Sequence, residues 1–511
     1  MVRGAMRLNP WLAIAALVAI ATALWHLEAA RAGISVDAVA IGTTPAIIYR
    51  RIADGPRPVV LIAHGFAGSQ QLMQSFALNL ARNGYVAVTF DFPGHGRNPE
   101  PLTGSITDID GATRTLVESL RSVGDFARRL GDGRLAVLGH SMASDIVVRY
   151  AQTTPGIAAT IAVSMFSPAV TATAPANLLV IVGDWEGTLK REALRAVGLA
   201  SAPRVAQAGV TYGEPARGTG RRAAFSAHVE HASVLFSEDS MREAILWLDA
   251  SFGTPRSAAP VVVARGPWIL LLLAGAVLLA RPGAALLPRV AAPPVGAALR
   301  WRRLWIPLSI AMFATPLLLR VLPTHFLPVL VGDYLAVHFA VYGLIIAACL
   351  LVMHRAGAGA ALSAARPRAL GVAMLAAITY GFCALVWPID RYVTSFVPGP
   401  ERIVLLAAML AGTLLFFLSD EWLTRGVGAA HGAFAASKLA FLASLAIAVA
   451  LDPERLLFLI IIVPVIALYF LVYGLLSRWI YAATGHPFVA GVANAVAFAW
   501  AIGVTFPLLA G

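Results

Sequence analysis

The stretch "RLAVLGHSMASDIVVRY", Arg134 to Tyr150, decides the fold of the N-terminal half of this chain. Leu135 to Leu138 form a short apolar run, the mark of a strand buried on both faces. Beyond Ser141 the apolar residues Ile146, Val147 and Tyr150 return at helical spacing. Between them Gly139-His140-Ser141-Met142-Ala143 reads as a GxSxG nucleophile elbow with Ala in the last position. Small residues two before and two after the serine let strand and helix approach closely, and the serine is held in strained backbone geometry at the strand end. The same five residues also fit an ordinary strand-to-helix turn, so the rest of the chain has to decide.

Working outward, "PVVLIAHGFAGS" (Pro58–Ser69) reads as a strand ending in a turn, followed by a helix near Ser69 to Asn83. "YVAVTFDFPGHGRN" (Tyr85–Asn98) is a strand ending at Asp91 in a glycine-rich loop, and a helical stretch from Ile109 to Leu130 precedes the elbow. After it come "IAATIAVSMF", "ANLLVIVGDWEG", a helix near Thr188 to Ala196, "RRAAFSA" and a last helix from Ser233 to Ala250. Strands separated by helices imply a mostly parallel sheet with functional residues at the carboxyl ends of its strands.

A nucleophilic serine needs a base, and the base an orienting carboxylate. Asp184 ends the strand "NLLVIVGD", with Glu186 two residues on, and "SAHVEHASVLF" offers His228 and His231. Spacing puts Ser141, Asp184 and His231 at successive strand ends. His231 is chosen because it lies just before the final helix, where a loop swings its imidazole over the sheet. His228 and Glu230 read as surface residues. Oxyanion donors, each worth ~3 kcal/mol of barrier, are expected from the N–H of Met142 and, in the turn "HGFAG", the N–H of Phe66. His64 in that turn reads as a structural histidine bonding the loop.

On "HGFAGS", "DFPGHGRN", "GHSMAS", "VGDWEG" and "EHASVLF", residues 34 to 252 resemble the α/β-hydrolase superfamily. The resemblance implies the triad Ser141, Asp184, His231, the oxyanion donors Phe66 and Met142, and chemistry on an ester or related acyl substrate with no metal or organic cofactor. "DFPGHGRN" is similar to the serine-aminopeptidase-like and monoacylglycerol-lipase-like branch, "HGF" with "GHSM" to dienelactone-hydrolase-like and cutinase-like branches. Fewer than a dozen residues separate "SMFSPA" from "ANLLVIVGD", so the cap that many relatives insert there is missing and a site facing solvent or a membrane surface follows. The insertion holding "GVTYGEPARGTGRR" is a surface loop or a rim.

The rest of the chain is built for lipid. Of 511 residues 59% are hydrophobic and 13% charged, against roughly 25% charged in soluble proteins. The formal charge of +12 does not point to nucleic acid, because arginines cluster beside apolar spans, as in "RWRR" (Arg300–Arg303) and "RPR" (Arg366–Arg368), like cytoplasmic loops. Cys349 and Cys383 fall within apolar runs and form no secreted disulfide framework. Residues 10 to 27 follow Arg3 and Arg7 and read as an uncleaved anchor or as a signal peptide, with "ARA" at Ala30 to Ala32 as its cleavage site.

The expected divisions are 1–33 (anchor or signal), 34–253 (α/β domain), 254–266 (linker, "TPRSAAP") and 267–511, a transmembrane bundle of about eight helices. Its spans lie near 267–280, 304–320, 327–353, 369–388, 402–418, 436–451, 456–476 and 489–509. Loops on one side carry most of the arginines, those on the other Asp390, Glu401, Asp452 and Glu454. That asymmetry places the α/β domain outside the cytoplasm, on the plasma or inner membrane.

Within the bundle, "FFLSDEWLTRG" (Phe416–Gly426) resembles the EExxxR motif of the CAAX-protease and bacteriocin-processing family, and "YAATGHPFVAGVAN" that family's last core helix. The first Glu is Asp420, no FxxxH follows Arg425, and Asn494 stands where the family has its catalytic histidine, which implies a non-catalytic relative. Asp420, Glu421 and Arg425 read instead as an ion pair at a helix end. Asp333 and His338 are candidates for a polar pathway. The leading expectation is a membrane-bound serine hydrolase acting on a small-molecule or lipid-like acyl substrate. Its rivals are a peptidase with the same triad and a transporter or intramembrane protease with a non-catalytic α/β module.

Overall fold

A computed structural model describes residues 8–52, 55–105, 111–201, 205–356 and 366–510. Helix α1 (Pro10–Ala29) leads into a nine-stranded sheet. The strands are β1 (Ile34–Ile41), β2 (Thr44–Arg51), β3 (Val59–Ala63), β4 (Val86–Phe90), β5 (Leu135–His140), β6 (Ile157–Val163), β7 (Leu178–Gly183), β8 (Thr211–Tyr212) and β9 (Arg221–Ser226). Their spatial order is β1-β2-β4-β3-β5-β6-β7-β9-β8, with β4, β3, β5, β6, β7 and β9 parallel. The first hairpin and β8 pair antiparallel at the edges.

Every residue of β3, β4, β5 and β7 is buried, because helices cover both sheet faces. Side-chain alternation divides the core: Val60 and Ile62 pack toward α2 (Gln74–Arg82) and α6 (Glu238–Phe252), while Val59 and Leu61 pack toward α3 (Ala112–Ala127) and α4 (Met142–Thr153). α5 (Gly187–Ser201) covers β7 through Ala193, Ala196 and Val197. This is the α/β-hydrolase-type sheet expected from the elbow. The helix expected from Ser69 begins as a 3-10 turn over Gln70–Met73, and the last one is split by Ser237, which caps α6 from its hydroxyl. The start expected for α3 at Ile109 lies outside the described residues.

The linker is not loose. Asn83 donates to the Val261 carbonyl at 2.8 Å and accepts from the Val261 N–H at 3.0 Å. One helical turn earlier, Asn79 does the same to Val263 at 3.2 and 2.7 Å. Two amide side chains thus imitate a neighbouring strand. Arg256 ties the same segment to Asp249 at 2.7 Å, and the buried Arg265 donates to Gln74.

The helical half comprises α7 (Gly266–Ala284), α8 (Trp301–Leu318), α9 (Gly332–Arg355), α10 (Pro367–Gly381), α11 (Trp387–Tyr392), α12 (Ile403–Thr424), α13 (Ala433–Leu451), α14 (Pro453–Leu456), α15 (Leu459–Thr484) and α16 (Pro487–Thr505). A π turn over Phe382–Val386 joins α10 to α11. Among the described residues eight helices are long and apolar enough to cross a membrane: α1, α7, α9, α10 with α11, α12, α13, α15 and α16. α8, with Arg302 and Arg303 in its first turn and two internal prolines, is not one of them.

α8 nevertheless runs from one end of the bundle to the other, with Ala297 bonded to the Trp422 carbonyl before it and Arg320 to the Leu451 carbonyl after it. α7 leaves the α/β domain, and the segment after α16 returns to it, where the Leu508 N–H donates to the Gly94 carbonyl at 2.9 Å. Seven alternating passes would end on the opposite face, whereas eight, counting α8, bring the end back. α9 and α12 pack backbone to backbone, since a Cβ on Gly343 would strike Leu415 and one on Gly412 would strike Ala336.

Candidate active site

Ser141 sits between β5 and α4 with φ of 55°, the left-handed region that costs a non-glycine residue about 1–2 kcal/mol. The strain is maintained by close packing. A Cβ on Gly139 would collide with the Ala143 carbonyl, and one on Gly65 would lie 3.0 Å from the Ser141 Cβ. Ala143 itself is buried without clash at the last position of the elbow.

His231 Nε2 lies 2.9 Å from Ser141 Oγ, and His231 Nδ1 lies 2.6 Å from Glu186 Oε1. The three groups form one chain of hydrogen bonds, and the carboxylate in it belongs to Glu186, not to Asp184 as the sequence suggested. The cause is a tight turn after β7, closed by the Glu186 N–H on the Gly183 carbonyl at 3.0 Å. It folds the Glu186 side chain back over the strand ends, where Oε2 accepts from the Gly183 N–H and the Ser164 hydroxyl, each at 2.7 Å. Asp184 points outward to Lys190 at 2.6 Å, and that cation holds its carboxyl below the usual range. Burial acts to raise the Glu186 carboxyl, but its hydrogen bonds to His231, Ser164 and Gly183 prevail and leave it lowered.

Around this chain several groups fix geometry. His140, buried, has its Nε2 3.0 Å from the His231 carbonyl, so it holds the loop that carries the base. Sequence reasoning passed over it, although it precedes the serine in the quoted motif. His64 donates from Nδ1 to the Gly65 carbonyl at 2.8 Å and accepts at Nε2 from the Phe92 N–H at 3.1 Å, the loop-bonding role expected of it. Asp91, buried, accepts from the Gln70 and Arg97 N–H groups at 2.8 and 3.0 Å and so orders the glycine-rich loop. Glu230 accepts from the Ala232 and Ser233 N–H groups at 2.7 and 2.9 Å, capping the turn before α6, and His228 is exposed.

Phe66 and Met142, the expected oxyanion donors, flank Ser141 on the two turns that meet there, and both line the pocket into which the serine opens. That pocket holds about 420 Å³. Its walls are mostly apolar, with Leu116, Ile146 and the exposed Phe166 among them. Asp145 and Arg149 form its charged end, paired at 2.6 Å, and the Ser167 hydroxyl donates to the same Asp145 at 2.5 Å. Phe458, from the helical half, also lines it.

In the helical half, Asp420 is fully buried and bonded to Lys438 and Ser437 of α13. Glu421, equally buried, pairs with Arg425 at 2.8 Å and accepts from Ser477. These are ion pairs at a helix end. Asp333 accepts from the N–H groups of Phe326 and Leu327 at the start of α9, while His338 contacts Ser444 at 3.1 Å, so the two do not form a continuous path. No group of three or more His, Cys, Asp or Glu side chains converges at metal-binding distances among the described residues.

Residues 54–199 match the family model described as serine aminopeptidase, S33. The match covers Ser141 and Glu186, and it supports a hydrolase. The chain matches no curated protein. Among solved structures, it is similar to a CIB-like hydrolase from Thermoplasma acidophilum (17% identity, 42% of this chain, 97% of that one, TM-score 0.33). It is also similar to a membrane phospholipase A described as a bacterial virulence factor (16% identity, 48% of this chain, 97% of that one, TM-score 0.30). An epoxide hydrolase from Vigna radiata is 25% identical over 27% of this chain and 42% of its own, with a TM-score of 0.22.

Proposed function

We propose that this chain is a membrane-bound serine hydrolase that cleaves an ester or related acyl substrate with Ser141, His231 and Glu186. The observation carrying the reading is the unbroken run from Ser141 Oγ through His231 to Glu186, at 2.9 and 2.6 Å, opening on an apolar pocket. Ser141 Oγ attacks the acyl carbonyl while its proton passes to His231 Nε2. Glu186 accepts the Nδ1 hydrogen, fixes the tautomer and stabilises the imidazolium. Negative charge forming on the carbonyl oxygen is met by the Met142 and Phe66 N–H groups. Collapse breaks the bond to the leaving alkoxide, which takes the proton from His231, and water repeats the sequence to free the acid.

The matched family's description favours a second reading, an aminopeptidase using the same residues. Such an enzyme needs a carboxylate free to hold the substrate's ammonium group. Asp145, the carboxylate lining the pocket, is already engaged by Arg149 and Ser167, which supports the ester. The α/β domain lies at the bundle face opposite Arg289 and Arg300 of the α7–α8 loop and Arg302 and Arg303 of the first turn of α8, which supports an extracytoplasmic site. Labelling of membranes with a fluorophosphonate tests the nucleophile: wild type takes the label and Ser141→Ala does not. An unlabelled wild type, or equal labelling of the variant, would overturn the reading. Comparing acyl esters with aminoacyl amides separates the two substrates.

A further inference from the structure

Among the described residues no cap is inserted between β6 and β7 of the α/β domain, yet its pocket is not left open on every side. Phe458 caps the start of α15, at the end of the bundle nearest the α/β domain, and its ring lies 5.3 Å from that of Phe66. The contact joins a wall of the helical half to one of the two turns that meet at Ser141. On the same helix end Leu457, Ile460 and Ile461 expose their side chains, a short apolar track on the bundle surface beside Phe458, which itself lines the pocket.

The seam beside Phe458 is fixed by backbone pairing. The Leu102 N–H donates to the Leu508 carbonyl at 2.8 Å and the Ala510 N–H to the Leu102 carbonyl at 2.8 Å, and Leu102 itself lines the pocket. Arg402, fully buried, donates from Nη2 to the Gly94 carbonyl at 2.9 Å and from Nη1 to the Phe506 carbonyl at 2.6 Å, linking both sides of the seam. Arg97 and Asp390 pair across it at 2.6 Å. The helical half therefore occupies the place where a cap would sit, and its contribution to the pocket is an aromatic ring flanked by exposed apolar side chains.

We propose that Phe458 is a specificity-determining residue for the hydrolase activity: it covers the acyl chain of a long-chain amphiphile that enters from the bilayer along this track. The proposal rests on the serine-hydrolase reading and goes further by naming the substrate class. The full-length protein in phosphatidylcholine vesicles is assayed with p-nitrophenyl esters of four- and twelve-carbon acids. Wild type prefers the longer ester. Phe458→Ala lowers the ratio of kcat/KM for the two by about tenfold, mainly through KM of the longer ester, the effect of removing one partly buried aromatic contact. Phe458→Glu, which puts a charge in the path, lowers it further.

Fluorophosphonate labelling reports a folded site in each variant. A variant that does not label is replaced by Phe458→Leu, for which a two- to threefold drop is expected on the same argument of lost apolar area. A wild type preferring the shorter ester, or labelled variants with an unchanged ratio, would overturn the role of Phe458 alone. A wild type that fails to label would overturn the hydrolase reading beneath it.

Discussion

The two halves of this chain each hold carboxylates withdrawn from solvent, a pair in one and Glu186 with its hydrogen-bonded partners in the other, and these two clusters of polar groups behave as opposites. In the helical half Asp420 and Glu421 spend their oxygens on Lys438, Ser437, Arg425 and Ser477, all of the same bundle. In the α/β half Glu186 uses one oxygen on Ser164 and Gly183 and offers the other to an imidazole that reaches an open pocket. The first arrangement is closed, because every strong donor meets its acceptor inside the fold. The second leaves one polar atom, Ser141 Oγ, facing a space where a substrate fits. Density of charge does not make a site; a chain of partners that ends at a cavity does.

The largest effect that separates the clusters is on turnover. Glu186→Gln leaves the geometry nearly intact but removes the charge that stabilises the imidazolium, and a loss of about 10²–10⁴ in kcat is expected. A loss smaller than fivefold would mean that another carboxylate serves His231.

Next comes stability. Lys438→Met strands the buried Asp420 carboxylate, and breaking such a pair costs roughly 3–5 kcal/mol. Thermal unfolding in detergent should shift down strongly, while the hydrolase rate per folded molecule stays the same. Unchanged stability with lost turnover would turn the closed cluster into a functional one.

The pH dependence follows from three buried rings. Burial lowers the pKa of His64 to about 4 and those of His95 and His140 to about 3, against about 6.5 in the unfolded chain. Below pH 6.5 the unfolded chain binds more protons, so stability falls as pH drops toward 4, by up to ~2 kcal/mol per ring at pH 5. Asp91 works the other way: burial raises it to about 6, so the folded form takes its proton first and offsets part of the loss as pH falls from 6 toward 4. The unfolding midpoint should be clearly lower at pH 5 than at pH 7.5. A flat profile would mean that these rings are not held neutral.

The smallest effect is expected at the position the sequence favoured. Asp184→Asn removes only a half-exposed pair with Lys190, and kcat should stay within about twofold of wild type. A hundredfold loss would instead place Asp184 in the relay.

Much of this was legible before any coordinates. The elbow, the succession of parallel strands and the choice of His231, which lies 2.9 Å from Ser141 Oγ, follow from apolar runs, from small residues at fixed offsets and from a position just before the last helix, which are local signals. The choice between Asp184 and Glu186 was not local. It depends on a turn that reverses within three residues and on a hydroxyl, Ser164, just past the end of the neighbouring strand β6. The span expected near residues 304–320 is a helix, α8, but its arginines and prolines leave it outside the eight helices apolar enough to cross a membrane. Phe458 could not be found from sequence, since nothing near residue 458 shows that the ring crosses to a turn almost 400 positions earlier.

The asparagine clasp on Val261 and Val263 has a consequence for how the protein can be handled. A segment gripped by α2 on its main-chain groups is a poor protease substrate despite its prolines and small residues, because cleavage needs the backbone to be peeled away first. Cutting the gene there would remove the bonds of Asn79 and Asn83 to Val263 and Val261 and that of Gln74 to Arg265. The α/β domain is thus welded to the first helix of the bundle rather than hung from it, and Ser141 keeps a constant distance from the bundle instead of roaming on a tether.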